Sequence, residues 1–101
     1  MLAWLISLTL VAPGEIFGDI RAGDTYLAEI PLVLTCGEEK VNGTTDKEGS
    51  FRLKTTGSGK CSFSVTWKDE SASVDVVVFA RPTRYRFIVE EAGGKLVLKR
   101  V

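Results

Sequence analysis

Hydrophobic and polar residues alternate in short runs along most of the chain, with turn-forming residues between the runs. The clearest run spans residues 61–67, where every odd position is apolar or Cys and every even position is Ser or Thr. A period of two places alternate side chains on opposite faces of a β-strand. After residue 14 no stretch repeats apolar residues with the 3.6-residue period of a helix. The pattern therefore predicts an all-β domain.

Turn residues divide the chain into about eight predicted strands, the count expected of a β-sandwich. Pro31 cannot donate to a strand ladder, so we expect it to begin a strand or face an edge. Gly49 ends the Asp46–Gly49 turn, where a glycine is free to take positive φ. The predicted strands cover residues 16–21, 30–36, 41–45, 50–54, 61–67, 73–80, 83–90 and 95–101.

The two cysteines bear on both fold and compartment. Cys36 ends one predicted strand and Cys61 begins another, each on the apolar face. If those strands are antiparallel neighbours, the two sulfurs meet as a disulfide, the one pairing that two cysteines allow. Closing this loop would contribute about 3.5 kcal/mol in the chain-entropy description. A disulfide indicates an oxidising compartment. The alternative is two buried free thiols in a cytosolic protein.

An uncharged apolar segment covers residues 2–12 and precedes the first predicted strand. It predicts a signal peptide over residues 1–14, a single β-sandwich domain over 15–101, and a secreted or periplasmic protein. No Lys or Arg lies between Met1 and the apolar segment, so the usual positive start of a signal peptide is missing. The alternative is that residues 2–11 form a buried edge strand. The segment is too short to cross a bilayer, so we predict no transmembrane span.

The net charge gives no reason to expect binding to nucleic acid or to an anionic membrane, since 13 basic residues balance 13 acidic ones. The distribution is uneven along the chain. Residues 1–39 carry one basic and six acidic residues, a net of −5, and residues 81–101 carry six basic and two acidic residues, a net of +4. We expect the terminal strands to pair in one sheet and neutralise each other across it. The alternative is a separate binding patch.

Four segments, read in order, resemble the carboxypeptidase regulatory-like domain of the transthyretin-like, or prealbumin-like, superfamily. The most specific is Thr-Asp-Lys-Glu-Gly-Ser-Phe at 45–51, which follows a "TDxxGxF" turn pattern. The others are Glu-Ile-Phe-Gly-Asp-Ile at 15–20, Leu-Ala-Glu-Ile-Pro-Leu-Val-Leu at 27–34 and Gly-Lys-Cys-Ser-Phe-Ser-Val at 59–65. The resemblance implies a Greek-key sandwich of seven to eight strands in which the second and fifth strands are neighbours. It also implies an accessory module beside enzymes, adhesins or envelope machinery.

The absence of histidine limits the chemistry that this chain can perform. It removes the usual general base, the commonest metal ligand and the Ser-His and Cys-His nucleophile pairs. It also argues against the transthyretin-like hydroxyisourate hydrolases, which use histidines and a "YRGS"-like end that this sequence lacks. We therefore predict no enzyme, no cofactor and no metal.

Arg84 and Arg86 lie on one face of a predicted strand, with Arg81 just before it. They form a candidate face for an anion or an acidic partner. The alternative is a solvated sheet face that resists aggregation. The sequence thus predicts a non-catalytic exported module that binds a protein or cell-envelope partner, in an oligomeric state that the sequence does not define. The alternative is a small carbohydrate-binding protein, which would expose a pair of aromatic rings. Trp67 is expected to face inward.

Overall fold

The computed structural model describes residues 13–101, so the predicted signal peptide lies outside the described residues except for its last two. Every regular element in this range is a β-strand, which confirms the all-β prediction. The strands are β1 (Gly14–Ala22), β2 (Thr25–Tyr26), β3 (Pro31–Cys36), β4 (Glu39–Thr44), β5 (Ser50–Thr55), β6 (Gly59–Trp67), β7 (Glu70–Val78), β8 (Pro82–Ala92) and β9 (Lys95–Arg100). Within residues 13–101 there is no helix of the length and apolar character needed to cross a membrane.

The strands form two sheets that pack as a sandwich. The five-stranded sheet has the order β5-β1-β8-β9, and the short β2 pairs with the far end of β1. The four-stranded sheet has the order β4-β3-β6-β7. The β1–β8 pair is parallel, whereas the other strand pairs of the described chain are antiparallel. The predicted β-sandwich is confirmed.

The core lies between the sheets and follows from the alternation of residues along each strand. Phe63 of β6 and Phe87 of β8 are fully buried, and their rings stack across the interface with centroids 4.4 Å apart. Full burial of a side chain of this size contributes roughly 1.5–3 kcal/mol. Seven aliphatic side chains from both sheets also have less than 2% exposure: Ile16, Ile20, Leu32, Leu34, Val65, Val76 and Val78.

The predicted disulfide between Cys36 and Cys61 is present. β3 and β6 are antiparallel neighbours, and Thr35 pairs with Ser62, so the two cysteines face each other at the next step of the ladder. Cys61 is buried, whereas Cys36 lies at the half-buried end of β3. The bond therefore cross-links the two central strands of the four-stranded sheet.

A glycine makes the parallel β1–β8 pairing possible. Gly18 lies opposite Tyr85, and a Cβ atom at Gly18 would lie 1.6 Å from the Tyr85 carbonyl oxygen. The Tyr85 hydroxyl reaches the other sheet, where it donates to the Val77 carbonyl at 2.6 Å and accepts from the Val77 N–H at 3.1 Å. Gly18 and Tyr85 thus fix β8 both within its own sheet and against β7.

The segment between β4 and β5 is held by two polar side chains. The buried Thr45 hydroxyl donates to the Leu27 carbonyl at 2.7 Å and accepts from the Ile30 N–H at 3.0 Å. The Asp46 carboxylate accepts from the Glu48 and Ser50 N–H groups at 2.8 and 2.9 Å. These bonds place the turn beside the outer face of the five-stranded sheet.

The β6–β7 hairpin shows where the predicted boundaries differ from the structure. Lys68 and Asp69 form its two-residue turn, and both have positive φ, at 54° and 65°. Two positive φ values in succession match the twist that a tight hairpin requires. β7 consequently begins at Glu70, three residues before the predicted start, because the first three positions of the strand are Glu, Ser and Ala and carry little apolar signal.

Candidate functional site: a charged cleft on the five-stranded sheet

Cross-strand rows on the outer face of the five-stranded sheet bring charged residues together. Ile16 and Ile20 of β1 point into the core, so Phe17 and Asp19 point outward. Strand pairing puts Arg52 and Arg84 on either side of Phe17. In the next row it puts Ser50 and Arg86 on either side of Asp19.

This face contains an open cleft of about 480 Å³. One side is formed by the segment between β4 and β5, which the Thr45 and Asp46 hydrogen bonds hold in place. The floor is formed by β1, β5 and β8. We call this space the Arg84 cleft, and it is lined by Phe17, Gly18, Asp19, Thr44, Asp46, Ser50, Phe51, Arg52 and Arg84.

The Arg52 guanidinium already contacts two neighbouring side chains of the protein. Its guanidinium forms an ion pair with Glu15, the residue two positions before Phe17 on β1. It also lies 4.8 Å from the centroid of the Phe17 ring, which is within range of a cation–π contact. Arg52 therefore forms a wall of the cleft with its charge already compensated.

Asp19 and Arg86 make a looser pair. The Arg86 Nε atom lies 3.9 Å from the Asp19 Oδ2 atom, beyond hydrogen-bond distance. The Asp19 side chain is 18% exposed, and Asp19 lines the Arg84 cleft. The parallel pairing of β1 with β8 thus sets Asp19 beside Arg86. The Asp19 carboxylate keeps oxygen atoms free for a ligand or a water molecule.

Arg84 is the cleft's uncompensated cation. Within residues 13–101 no carboxylate lies within 4.0 Å of its guanidinium, in contrast to Arg52 and Arg86. An unpaired guanidinium offers several N–H donors in a fixed planar arrangement, which suits carboxylates and other oxyanions. The cleft thus combines an available cation with the carboxylates of Asp19 and Asp46.

The structure brings together two of the three arginines of the predicted binding face. Arg84 and Arg86 lie on the outer face of β8, but Arg81 precedes the strand and lies outside the cleft. The Arg81 guanidinium is 5.5 Å from the centroid of the exposed Phe79 ring. Whether Arg84 and Arg86 bind a ligand stays a prediction.

Sequence reasoning missed Asp19, Ser50 and Arg52 as companions of Arg84. The alternation in residues 50–54 indicated that Arg52 faces outward, but it did not indicate which strand lies beside it. The parallel β1–β8 pairing joins residues more than 60 positions apart. No local pattern signals that register.

The other features considered give less support for a functional site than the Arg84 cleft does. No group of three or more His, Cys, Asp or Glu side chains in residues 13–101 is arranged to hold a metal ion. Trp67 is half-buried and packs against the core, and the Lys68 ammonium lies 4.4 Å from its ring centroid.

Comparisons with known proteins give the fold but no family. No protein-family model matches the sequence, and no curated protein is significantly similar to it. Solved structures do match, and one is 5-hydroxyisourate hydrolase from Klebsiella pneumoniae. The two chains share 13% sequence identity with a TM-score of 0.59, over 95% of this chain and 99% of that one. At this identity the likeness shows a shared transthyretin-like, or prealbumin-like, fold.

This likeness corrects the predicted function. The sequence predicted a non-catalytic exported module that binds a protein or envelope partner, with a carbohydrate-binding protein as the alternative, and no enzyme. Those predictions were wrong, because the solved structure that shares the fold is an enzyme. The prediction had rested on the absence of histidine, the usual general base, although carboxylates also serve as bases in enzymes.

Proposed function

We propose that this protein is a hydrolase for a small anionic carbonyl compound, with the Arg84 cleft as its active site. One observation carries the proposal: the cleft holds an unpaired guanidinium, that of Arg84, together with the partly exposed carboxylate of Asp19. Its volume of about 480 Å³ is in the range of small-molecule sites. The transthyretin-like fold and the catalytic activity named for its solved neighbour support the same proposal.

The chemistry follows from the two groups. The Arg84 guanidinium binds the anionic substrate and donates hydrogen bonds to the carbonyl oxygen as negative charge develops on it. Asp19 accepts a proton from a water molecule as the water oxygen attacks the carbonyl carbon. The bond from that carbon to the leaving group then breaks, and Asp19 returns the proton to the leaving atom. Because the chain has no histidine, a carboxylate is the natural base.

The first substrate to test is 5-hydroxyisourate, the compound named for the solved neighbour. Purified wild-type protein should hydrolyse it faster than buffer alone. Arg84→Ala should lower kcat/KM by about 10²–10³-fold, the usual cost of removing a donor to a developing oxyanion. Asp19→Asn should lower kcat by about 10²–10⁴-fold, as expected for loss of a general base.

Arg81→Ala is the matched control, because it removes the same charge from a residue outside the cleft. It should leave kcat/KM unchanged. Equal losses in Arg81→Ala and Arg84→Ala would show that only overall charge matters. No turnover of 5-hydroxyisourate or of related small cyclic amides by the wild type would refute the hydrolase proposal.

We also propose that the protein is secreted or periplasmic, with a signal peptide over residues 1–14 and the folded domain over 15–101. The Cys36–Cys61 disulfide supports an oxidising environment. Intact-mass spectrometry of the exported protein, without reductant, should give a mass that lacks the leader and contains no thiol that can be alkylated. A mass that begins at Met1, or two free thiols, would contradict this proposal.

The resemblance to carboxypeptidase regulatory-like domains is proposed as the finer relationship within the superfamily. The turn built on Asp46 supports it, because the carboxylate accepts two main-chain N–H groups and Gly49 has a φ of 77°. These are the positions that the "TDxxGxF" pattern fixes. Asp46→Ala should lower stability by about 1–2 kcal/mol through the loss of these two bonds, and Asp46→Asn should lower it less. An unchanged melting temperature for Asp46→Ala would show that the motif match has no structural role here.

A further inference from the structure

The residues Asn42, Gly43 and Thr44 of β4 match the acceptor pattern for N-linked glycosylation, in which Asn is followed by any residue except Pro and then by Ser or Thr. We propose that Asn42 is an N-glycosylation site and that its glycan covers the free edge of the four-stranded sheet. In the attachment step the Asn42 side-chain nitrogen loses a proton and bonds to C1 of a sugar, and the bond from C1 to the diphosphate of a lipid-linked donor breaks. The inference rests on the proposed export, because the sugar is attached on the secretory route, and not on hydrolase activity.

The acceptor side chain is accessible on the folded domain. Val41 packs against the core, so the alternation along β4 directs Asn42 to the outer face of its sheet, where it is exposed. Strand pairing puts Asn42 beside Val33 of β3, at the end of a row that continues through Ser64 to Ser73. A glycan attached at this end of the row can extend into solvent.

The fold accounts for Gly43 but not for the hydrogen-bonding groups on either side of it. A Cβ atom at Gly43 would lie 2.5 Å from the Leu53 Cδ2 atom, so the glycine lets β4 pack closely on β5. In residues 13–101 neither the Asn42 nor the Thr44 side chain forms a hydrogen bond or an ion pair. Asn is disfavoured inside strands, and this is the one Asn of the sequence. Recognition as a glycosylation acceptor gives a reason for its presence in mid-strand.

The second argument is that this edge of the sheet lacks cover from side chains. Within the described chain β4 pairs only with β3, which leaves main-chain groups on its other side open to pairing with another strand. At the opposite edge of the sheet, the Tyr85 hydroxyl occupies both main-chain groups of Val77. Among residues 13–101 no side chain forms a hydrogen bond with the main chain of residues 40–44. A glycan on Asn42 supplies the missing cover.

The test is expression of the full-length protein in cultured eukaryotic cells, followed by intact-mass spectrometry of the protein in the medium. We expect a mass above that of the polypeptide, and the excess should be removed by peptide N-glycosidase F, which converts the Asn42 amide into a carboxyl group. Asn42→Gln and Thr44→Val should show the polypeptide mass alone. Thr44→Ser is the matched control, because it keeps the hydroxyl and should keep the sugar.

A second arm places the same full chain behind the host's own secretion signal, which separates export from glycosylation. Protein found in the medium only in this second arm would refute the proposed export and leave the acceptor site to be read from the same sample. Polypeptide mass alone in the second arm, or sugar retained in Asn42→Gln, would overturn the inference.

The covering role is tested by heating the glycosylated and the enzymatically deglycosylated protein side by side and following light scattering. The deglycosylated protein should begin to scatter light at a lower temperature, because β4 is then open to pairing with strands of other copies. Equal onset temperatures would refute the covering role. An inactive hydrolase leaves each of these readouts unchanged.

Discussion

The outer faces of the two sheets arise from the same alternation of residues, yet they differ in whether their polar side chains have partners within the protein. On the four-stranded sheet, the outward side chains of β6 and β7 are mostly Ser and Thr, and they bond to each other across the strands. The Ser64 and Ser73 hydroxyls lie 2.7 Å apart, and those of Thr66 and Ser71 lie 3.0 Å apart. On the five-stranded sheet the corresponding positions carry charges, and Arg84 keeps no acidic partner among residues 13–101.

The difference indicates which face is available for chemistry. Hydroxyl groups that satisfy one another gain little from a ligand, because each new hydrogen bond replaces an existing one. A guanidinium without a partner gains a charge-assisted hydrogen bond when an anion arrives. The charged face, and not the hydroxyl face, is therefore where we place the active site.

The largest effect is expected from Gly18→Ala, beneath the charged face. The new methyl group would overlap the Tyr85 carbonyl oxygen, which belongs to the main chain and cannot turn aside. We expect a loss of more than about 4 kcal/mol, beyond the usual range for a single substitution. Chemical denaturation measures it, if the variant folds at all.

Gly23→Ala is the control for Gly18→Ala. Gly23 has a φ of 61° and no atom near its would-be Cβ, so the variant should lose only the roughly 1–2 kcal/mol of left-handed strain. Similar losses in the two variants would show that steric overlap at Gly18 is not the cause.

Cys61→Ser should come next, because it removes the cross-link beneath the hydroxyl face. The expected loss is about 2–5 kcal/mol, the usual cost of losing a native bridge in a small domain. The substitution should leave the Arg84 cleft intact in protein that remains folded, because the bond joins strands of the other sheet. Melting temperature under non-reducing conditions is the readout, and an unchanged value would contradict a structural role for the disulfide.

Thr45→Val tests the connection between the two sheets. Its hydroxyl is buried and serves both the Leu27 carbonyl and the Ile30 N–H. Leaving both groups unpaired should cost about 1–3 kcal/mol. Thr45→Ser keeps the hydroxyl and should recover most of that loss in the same denaturation experiment. Equal losses in the two variants would indicate that the methyl group, and not the hydrogen bonds, matters.

The smallest effect is expected on the hydroxyl face. Ser64→Ala, Ser73→Ala and the double variant form a double-mutant cycle for one cross-strand pair. The coupling energy should be about 0.2–1 kcal/mol. A coupling of several kcal/mol would show that this face is more than a set of ordinary cross-strand pairs.

Much of the fold follows from local sequence because alternation fixes which side chains face the core. The run from 61 to 67 and the position of Cys36 together predicted an antiparallel pair and its disulfide, and both are present. The two-residue β2 was missed, because two positions are too few to show a period. The start of β7 was also misplaced, because its first three residues carry little apolar signal.

The candidate site was less accessible to sequence reasoning because it depends on contacts that are distant along the chain. Arg84 was identified from its own strand, but Asp19 and Arg52 join it only through the pairing of β1 with β8 and β5. The cleft wall near Thr44 depends on the buried Thr45 hydroxyl, which reaches residues 15 and 18 positions away. Neither relationship leaves a periodic pattern in the sequence.

The most direct measurement compares hydrolysis by variants of the two outer faces. Arg84→Ala and the Ser64→Ala/Ser73→Ala double variant would be assayed with 5-hydroxyisourate beside the wild type. If the charged face is the active site, kcat/KM falls by about 10²–10³-fold in the first variant and stays at the wild-type value in the second. Wild-type activity in Arg84→Ala, or loss of activity only in the double serine variant, would contradict the account.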